Sequence, residues 1–413
     1  MSTSVDPAAV AFQRAAETAT VRSRRFCLVW FAAVLTLCAL VGALNALVDP
    51  YLVTGAPRIA GFNAIKPETG THTGLAKKYL VARLRPAGLV LGDSKADIGI
   101  DPGSPNWPED ARPGFNYGVP AIGLPVALDI LRHAIVSNAV TRALVLIDLE
   151  EFMRPADATP PTAAPATETP SAAADFRQHV QDLLLATLSL DALRASVKTV
   201  AGQGQRDIVD LSPAGVTSEG GFRAVSAREG YGLMFQQKDE YLAKMMAWLA
   251  ATLRARPGAP INELDALADM IRLCRDGGIA LDLAIAPSHA DYLDTIDRAG
   301  LWPRYREAKK QLTRLIAAEG GGAVRLWDFL GYDGYSTEPV PPPGDRAGTM
   351  LWYWEPSHFK QALGEKILAT IYQGGNEFGV RLTPDMIESN LERERAAKQI
   401  YQARIQSLAH SSR

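Results

Sequence analysis

Short apolar runs alternate with amphipathic segments through most of this chain, and that alternation restricts the possible folds more than any other feature of the sequence. Each run is bounded by charged or turn-forming residues, and the segments between runs carry apolar residues at helical spacing. Right-handed crossovers between parallel strands place the intervening helices on both faces of a sheet. The sequence therefore predicts an α/β fold with three layers around a parallel sheet. The runs begin at Gly88, Phe115, Ala143, Ala280 and Val324.

Polar residues follow three of these runs, at the points where the strands should end. Ser94 closes the sequence Gly92-Asp93-Ser94 after the first run. Asp148 ends the third run, and His289 follows the fourth. The carboxyl ends of parallel strands share one edge of the sheet, which is where open α/β sheets bind their ligands. We therefore expect Ser94, Asp148 and His289 to converge on one crevice.

Residues 26–48 form an almost purely apolar run, long enough at about 1.5 Å per residue to cross a hydrocarbon core about 30 Å thick. The positive-inside rule predicts a cytoplasmic tail at 1–25, a single bacterial inner-membrane span at 26–48 and a periplasmic remainder. A cleaved signal peptide is the alternative, although the run is longer than a typical signal and its exit lacks a clear small-x-small site. Four arginines precede the run: Arg14, Arg22, Arg24 and Arg25.

Composition suggests how the rest of the chain is divided. With 413 residues, 47% of them hydrophobic, the chain can bury a large core. We predict a stalk and lead-in at 49–85, one α/β domain at 86–380 and a C-terminal helix at 381–413. Within the domain, 155–240 is predicted to be an Ala/Pro-rich connector followed by a helical insertion, because its first part cannot build a core.

Charge and cysteine content exclude several classes of function. The net charge of −2 provides no basic surface for nucleic acid. Of three cysteines, Cys27 and Cys38 lie in the apolar run and only Cys274 lies in the domain, so there is no disulfide framework and no metal-ligand spacing. The sequence predicts no metal, no cofactor and no nucleic-acid partner.

A serine nucleophile needs a base, usually a histidine that a carboxylate holds in one tautomer. Of the six histidines, only His358 has an acidic residue three positions upstream, and that residue is Glu355. We therefore predict Ser94 as nucleophile, His358 as base and Glu355 as the acid that orients it. His289 is the alternative base or a substrate ligand.

In this order, Gly92-Asp93-Ser94, Gly118 and the pair Glu355 and His358 resemble the SGNH/GDSL hydrolase superfamily. With its N-terminal span, the chain is similar to the membrane-tethered SGNH-like proteins of polysaccharide O-acetylation systems, such as alginate O-acetyltransferases. The resemblance implies a flavodoxin-like sheet and an acyl intermediate on Ser94. It also implies that the N–H groups of Ser94 and Gly118 bind the oxyanion.

The chain departs from the family pattern at two positions. The resemblance leads us to expect Asp at position 355, where the sequence has Glu355. It also leads us to expect an Asn that donates to the oxyanion in the third block, where the sequence has Asp148. An ionised Asp148 cannot donate a hydrogen bond, and Asn116 is the candidate replacement.

Two functions follow as hypotheses. The first is a membrane-anchored periplasmic O-acyl (acetyl) esterase or transferase that acts on an envelope or exported polysaccharide, with a carbohydrate or acyl-ester substrate and a membrane acyl-donor protein as partner. The second is a catalytically degenerate SGNH-like protein that binds glycan or scaffolds an envelope assembly. Three aromatic residues are either a sugar-stacking platform or part of the core: Trp352, Tyr353 and Trp354.

Overall fold

A computed structural model of the chain describes residues 7–137, 139–155, 158, 176–259 and 261–411. The strands are β1 Gly88–Leu91, β2 Gly114–Asn116, β3 Arg142–Ile147, β4 Ala280–Ile285, β5 Val324–Asp328, β6 Tyr353–Glu355, β7 His358–Phe359 and β8 Val380–Leu382. The helices are α1 Pro7–Val48, α2 Thr73–Leu84, α3 Ser94–Gly99, α4 Leu124–Ser137, α5 Phe176–Leu188, α6 Leu190–Ala201, α7 Gly220–Glu229, α8 Tyr231–Ala255, α9 Asn262–Asp276, α10 Ala290–Arg298, α11 Trp302–Glu319, α12 Gln361–Gln373 and α13 Ile387–Ser411.

Six strands form one sheet in the order β2-β1-β3-β4-β5-β8. The first five are parallel, as predicted, and β8 pairs with β5 in the antiparallel direction. The predicted mixed α/β class with a mostly parallel sheet is therefore confirmed. Strand β8 was not predicted because it is only three residues long, and the boundary predicted at 380/381 falls inside it.

Strands β1, β3 and β4 in the middle of the sheet are buried on both faces, which explains why they are mostly apolar. Leu89 and Leu91 of β1 belong to a core that includes residues of α4, α9 and α11. Val90, between them, belongs to a second core that includes residues of α3 and α12. Successive side chains of a strand point to opposite faces, so the two cores lie on opposite sides of the sheet.

Helix α1 contains the predicted span. Its stretch Thr20–Val48 is 29 residues long and apolar enough to cross a membrane, and none of its most apolar part is buried. By length and composition, α1 therefore fits a single membrane crossing.

Residues 49–85, predicted to be a stalk, pack against the sheet domain. Val81 of α2 belongs to the same core as Leu89 and Leu91, and Lys77 of the same helix is fully buried. The Lys77 Nζ lies 2.5 Å from Asp97 Oδ1 in α3. A buried ion pair holds this segment against the domain, so it is not an independent stalk.

The predicted insertion and C-terminal helix also pack against other parts of the chain. Most of the Ala/Pro-rich connector lies outside the described residues, and α5, α6 and α7 follow it before the sheet resumes at β4. In the C-terminal helix α13, Glu394 lies 3.2 Å from the buried Lys309 of α11. Lys309 also pairs with Asp328 at the end of β5 at 2.8 Å, so a buried charge network joins α13 to the sheet.

Candidate active site

Ser94 lies at a sharp turn between a buried strand and a short helix. Strand β1 ends at Leu91, and α3 begins at Ser94 with Asp93 as its N-cap, where the Asp93 side chain accepts a hydrogen bond from the Lys95 N–H at 2.8 Å. Gly92 has φ +141, a backbone conformation that residues other than glycine rarely adopt. A Cβ at this position would lie 2.9 Å from the Leu146 carbonyl oxygen. The turn presents Ser94 at the carboxyl edge of the sheet.

Glu355 and His358 face each other across a β-hairpin. Strands β6 and β7 pair in the antiparallel direction, with Glu355 opposite His358. Helix α12 begins only at Gln361, with Lys360 as its N-cap. Adjacent strands bring opposite residues within side-chain reach, so this hairpin fixes the acid beside the histidine.

The three predicted catalytic side chains form a continuous hydrogen-bonded chain. Ser94 Oγ lies 2.8 Å from His358 Nε2, and His358 Nδ1 bonds Glu355 Oε1. An ionised carboxylate can only accept hydrogen bonds, so His358 carries its proton on Nδ1. Its Nε2 lone pair therefore faces the Ser94 hydroxyl, which is the orientation that a general base requires.

Glu355 is ionised at neutral pH despite its burial. Burial by itself raises the pKa of its carboxyl group, but the electrostatic interaction and hydrogen bond with His358, the charge of Lys238 and the Ser357 N–H lower that pKa to about 2. Ser357 donates to Glu355 from its backbone N–H at 3.1 Å and from its Oγ at 3.0 Å. Ser357 is a positioning residue that sequence reasoning missed, although it lies between the acid and the histidine.

Replacing Glu355 by Gln should remove one acid-sensitive part of the protein's stability. The folded-state pKa of Glu355 is about 2 and its ordinary value is 4.5. Because this pKa is depressed, the carboxylate stabilises the fold fully above pH 4.5, and that stabilisation is lost as the pH falls towards 2. Thermal unfolding of wild type and Glu355→Gln between about pH 6 and about pH 3 tests this expectation.

The control for this experiment is Glu109→Gln, because the Glu109 side chain is 91% exposed. It should leave the pH dependence of the unfolding temperature close to that of wild type. If the Glu355→Gln curve were parallel to both of these curves through the acid range, the depressed pKa of Glu355 would be wrong.

Asp148 forms an ion pair with Lys95, the residue that follows Ser94. Its Oδ2 accepts from Lys95 Nζ at 2.7 Å, and Lys95 is 4% exposed. Burial alone would lower the pKa of Lys95, but the charges of Asp148 and Asp93 raise it above its ordinary value. Asp148 therefore pairs with a buried lysine on α3, the helix that begins at Ser94, and its carboxylate is not a hydrogen-bond donor for an oxyanion.

The groups of Asn116 and Gly118 that were expected to bind the oxyanion are used elsewhere. The fully buried Asn116 donates from Nδ2 to the carbonyl oxygens of Ala96 at 2.7 Å and Ile100 at 2.6 Å. Its Oδ1 accepts the Gly118 N–H at 2.8 Å. This corrects the expectation for both residues, because the Asn116 amide holds α3 against β2 and the Gly118 N–H is bonded to Asn116 Oδ1. Of the expected donors, only the Ser94 N–H has no partner among the hydrogen bonds of the described residues.

A buried polar network supports helix α3 behind the serine. Asp97 Oδ1 accepts from Lys77 Nζ at 2.5 Å and from Thr217 Oγ1 at 2.8 Å. Lys77 also donates to the Gly118 carbonyl oxygen at 2.6 Å. Burial lowers the pKa of Lys77, against the opposing charge of Asp97. The network joins α2, the insertion and β2 to the helix that carries Ser94, and no local pattern in the sequence indicated it.

His289 is buried at the start of α10, where both of its ring nitrogens form hydrogen bonds. It is 1% exposed, and its Nε2 lies 2.8 Å from the Glu338 carbonyl oxygen, which can only accept. Its Nδ1 therefore accepts, and it receives the Asp291 N–H at 3.2 Å as the N-cap of α10. Its backbone N–H donates to the Pro356 carbonyl oxygen at 2.9 Å, which ties it to the hairpin that holds Glu355. With both ring nitrogens engaged, His289 supports the site and is not placed as the base.

Of the two alternatives for the three aromatic residues, a sugar-stacking platform or part of the core, the structure favours the core. Tyr353 and Trp354 are 0% and 3% exposed, and only Trp352 is partly exposed. The Trp354 ring stacks on Phe222 of α7 with centroids 5.6 Å apart. Phe222 also lies 5.3 Å from the His358 ring, so the insertion contributes one wall beside the histidine.

Within the described part of the chain, no group of His, Cys, Asp or Glu side chains could hold a metal ion. No protein-family model matches the chain, and no curated protein matches its sequence. The geometry around Ser94, His358 and Glu355 is therefore the basis for assigning a function.

Proposed function

We propose that this protein is an SGNH-type serine esterase or O-acyltransferase, anchored in the inner membrane with its α/β domain in the periplasm. The observation that carries the proposal is the chain of hydrogen bonds from Ser94 Oγ through His358 to the ionised Glu355. A serine, a histidine and a carboxylate in this arrangement activate a hydroxyl for attack on an acyl carbon.

The topology also supports an SGNH-like, flavodoxin-type domain. The five parallel strands follow the order 2-1-3-4-5, which is the flavodoxin-like order of doubly wound sheets. Ser94 follows the second strand in this order, next to the edge strand. In such sheets, the crevice beyond the carboxyl ends of the strands binds the ligand.

The proposed reaction transfers an acyl group in two steps. Ser94 Oγ attacks the ester carbonyl carbon while His358 Nε2 takes the serine proton, and His358 then gives that proton to the oxygen of the leaving alcohol as its bond to the acyl carbon breaks. In the second step, His358 takes a proton from water or a sugar hydroxyl, whose oxygen attacks the acyl carbon, and returns the proton to Ser94 as the acyl bond breaks. With water as the acceptor the protein is an esterase, and with a sugar hydroxyl as the acceptor it is a transferase.

The membrane location supports an envelope or exported polysaccharide as the substrate. The four arginines before the span favour a cytoplasmic N-terminus, which leaves the domain on the opposite side of the membrane. We therefore propose a carbohydrate or acyl-ester substrate, with a membrane acyl-donor protein as partner.

The test is the intact mass of the purified full chain after exposure to an activated acetyl ester. The intact wild-type protein should gain the mass of one acetyl group, and Ser94→Ala should gain none. Equal acetylation of both proteins would overturn the proposal. Ser104→Ala is the control, because Ser104 Oγ bonds Glu365 at 2.6 Å in a separate part of the fold and its loss should leave acetylation unchanged.

The alternative, a catalytically degenerate domain that binds glycan or scaffolds an assembly, is favoured by one observation. The Gly118 N–H and the Asn116 amide, both expected at the oxyanion, are engaged in the network under α3. Oxyanion donors supply much of the rate in acyl transfer. Acetylation of Ser94 without release to water or sugar would support this alternative, whereas multiple turnovers dependent on Ser94 would exclude it.

A further inference from the structure

The helical hairpin formed by α5 and α6 carries a set of aliphatic side chains that the rest of the described chain covers only in part. On α5 they are 49% to 60% exposed, and on α6 38% to 73%. Exposed aliphatic side chains concentrated on one pair of neighbouring helices mark an interaction surface. This surface, the α5–α6 apolar patch, consists of Leu184, Leu185, Leu188, Leu190, Val197 and Val200.

Both helices of the hairpin are fixed to the last turns of α1. Asn45 of α1 donates from Nδ2 to the Thr187 carbonyl oxygen of α5 at 2.7 Å, and its Oδ1 accepts from Ser196 Oγ of α6 at 2.8 Å. A Cβ at Gly42 would lie 3.1 Å from Leu188 Cδ2, so the tip of the hairpin contacts α1 one turn further into the apolar stretch. The position of α1 in the bilayer therefore sets the position of the patch.

The depth of the hairpin tip follows from helix geometry. Counted from Phe26, where the apolar run begins, Gly42 lies about 24 Å along α1 at about 1.5 Å per residue. A hydrocarbon core is about 30 Å thick. If α1 crosses along the bilayer normal, Gly42 and the Leu188 side chain beside it would therefore lie about 6 Å inside the far edge of the hydrocarbon.

We propose that the α5–α6 apolar patch is inserted into the outer leaflet of the bilayer that α1 crosses, and that lipid acyl chains cover it. The inference rests on α1 crossing the bilayer, and it is independent of the acyl-transfer chemistry. An amphipathic hairpin that lies about 5–10 Å below the headgroups uses aliphatic side chains in this way.

The charged residues of α6 suit the headgroup region. Asp191 and Arg194 pair at 3.4 Å with side chains 83% and 77% exposed. Lys198, one turn later, is 66% exposed and lies 3.3 Å from Glu68. Long basic side chains at this depth reach the headgroups while their aliphatic stems stay in apolar surroundings.

The hairpin is also tied to the sheet domain, so its insertion would fix the height of the proposed site above the membrane. Asp182 of α5 accepts from Lys78 Nζ at 2.8 Å and from Tyr79 OH at 2.9 Å, both on α2. The preceding residue of α2, Lys77, contacts Asp97 on the helix that begins at Ser94. An inserted hairpin would therefore hold Ser94 at a constant distance from the lipid surface.

The test uses the full chain reconstituted in phosphatidylcholine vesicles. Cys27 and Cys38 are replaced by Ala, and Cys274 is 0% exposed and so does not react. One protein carries an environment-sensitive fluorophore on Leu190→Cys and a second carries it on Ile400→Cys, both at positions 73% exposed. Each is measured with and without lipids that bear a nitroxide on the acyl chain.

The Leu190 probe should emit at shorter wavelength and be quenched by the nitroxide at least twofold more than the Ile400 probe. A probe on Val197→Cys, which is 59% exposed, should also be quenched. Equal, water-like emission at all three positions would overturn the proposal. Short-wavelength emission at Leu190 without nitroxide quenching would overturn it too, because a second copy of the chain would then cover the patch.

Discussion

Replacing His358 by Asn should lower the rate of ester hydrolysis per folded molecule by about 1000-fold or more. Asn has no nitrogen lone pair to accept the Ser94 proton, so the hydroxyl loses its base. The His358 ring bonds only Ser94, Glu355 and Ser357 among the described residues, and its side chain is 16% exposed. The measurement is kcat for an activated acetyl ester, with circular dichroism and thermal unfolding in detergent.

The matched control is His289→Asn, which should have the opposite outcome. His289 is 1% exposed and bonds the Glu338 carbonyl oxygen and the Asp291 N–H, so its loss should lower stability. The rate per folded molecule should stay within about tenfold of wild type, because a residue that acts through the hairpin affects positioning only. A 1000-fold loss with His289→Asn and none with His358→Asn would make His289 the base.

Replacing Lys77 by Met should reduce the free energy of unfolding by about 3–5 kcal/mol, the range measured when one partner of a buried ion pair is removed. Asp97 would be left as a buried charge whose side chain, among the described residues, bonds only the Thr217 hydroxyl. Both side chains of the pair are at most 1% exposed, so water cannot compensate for the loss. Denaturant or thermal unfolding in detergent micelles measures the effect.

Two further variants separate this effect from a general loss of packing. Adding Asp97→Asn to Lys77→Met should recover part of the lost stability, because the uncompensated charge is removed while the Thr217 hydroxyl keeps its acceptor. Lys366→Met should cost only about 0–1 kcal/mol, since Lys366 pairs with Glu377 at 3.6 Å on the surface. A Lys77→Met protein no less stable than Lys366→Met would show that the pair contributes little.

The sequence by itself determined the parallel strands and the three candidate catalytic residues. A strand buried on both faces must be a continuous apolar run, and that requirement is local enough to be visible along the chain. The spacing of three positions indicated Glu355 as the partner of His358, and the structure places the two residues opposite each other in a β-hairpin. Positions three apart come close in a helical turn as well as in a hairpin, so the pairing was predictable although the element was not.

Only the tertiary structure decided which polar groups are free to do chemistry. Ser94 and His358 are 264 positions apart, and nothing in the local pattern specified that their side chains bond. The same is true of the Asn116 amide, which bonds α3, of the Gly118 N–H, which bonds Asn116, and of Lys77, whose partner lies on another helix. A buried polar group must find a partner wherever the packing places one, and that choice depends on distant parts of the chain.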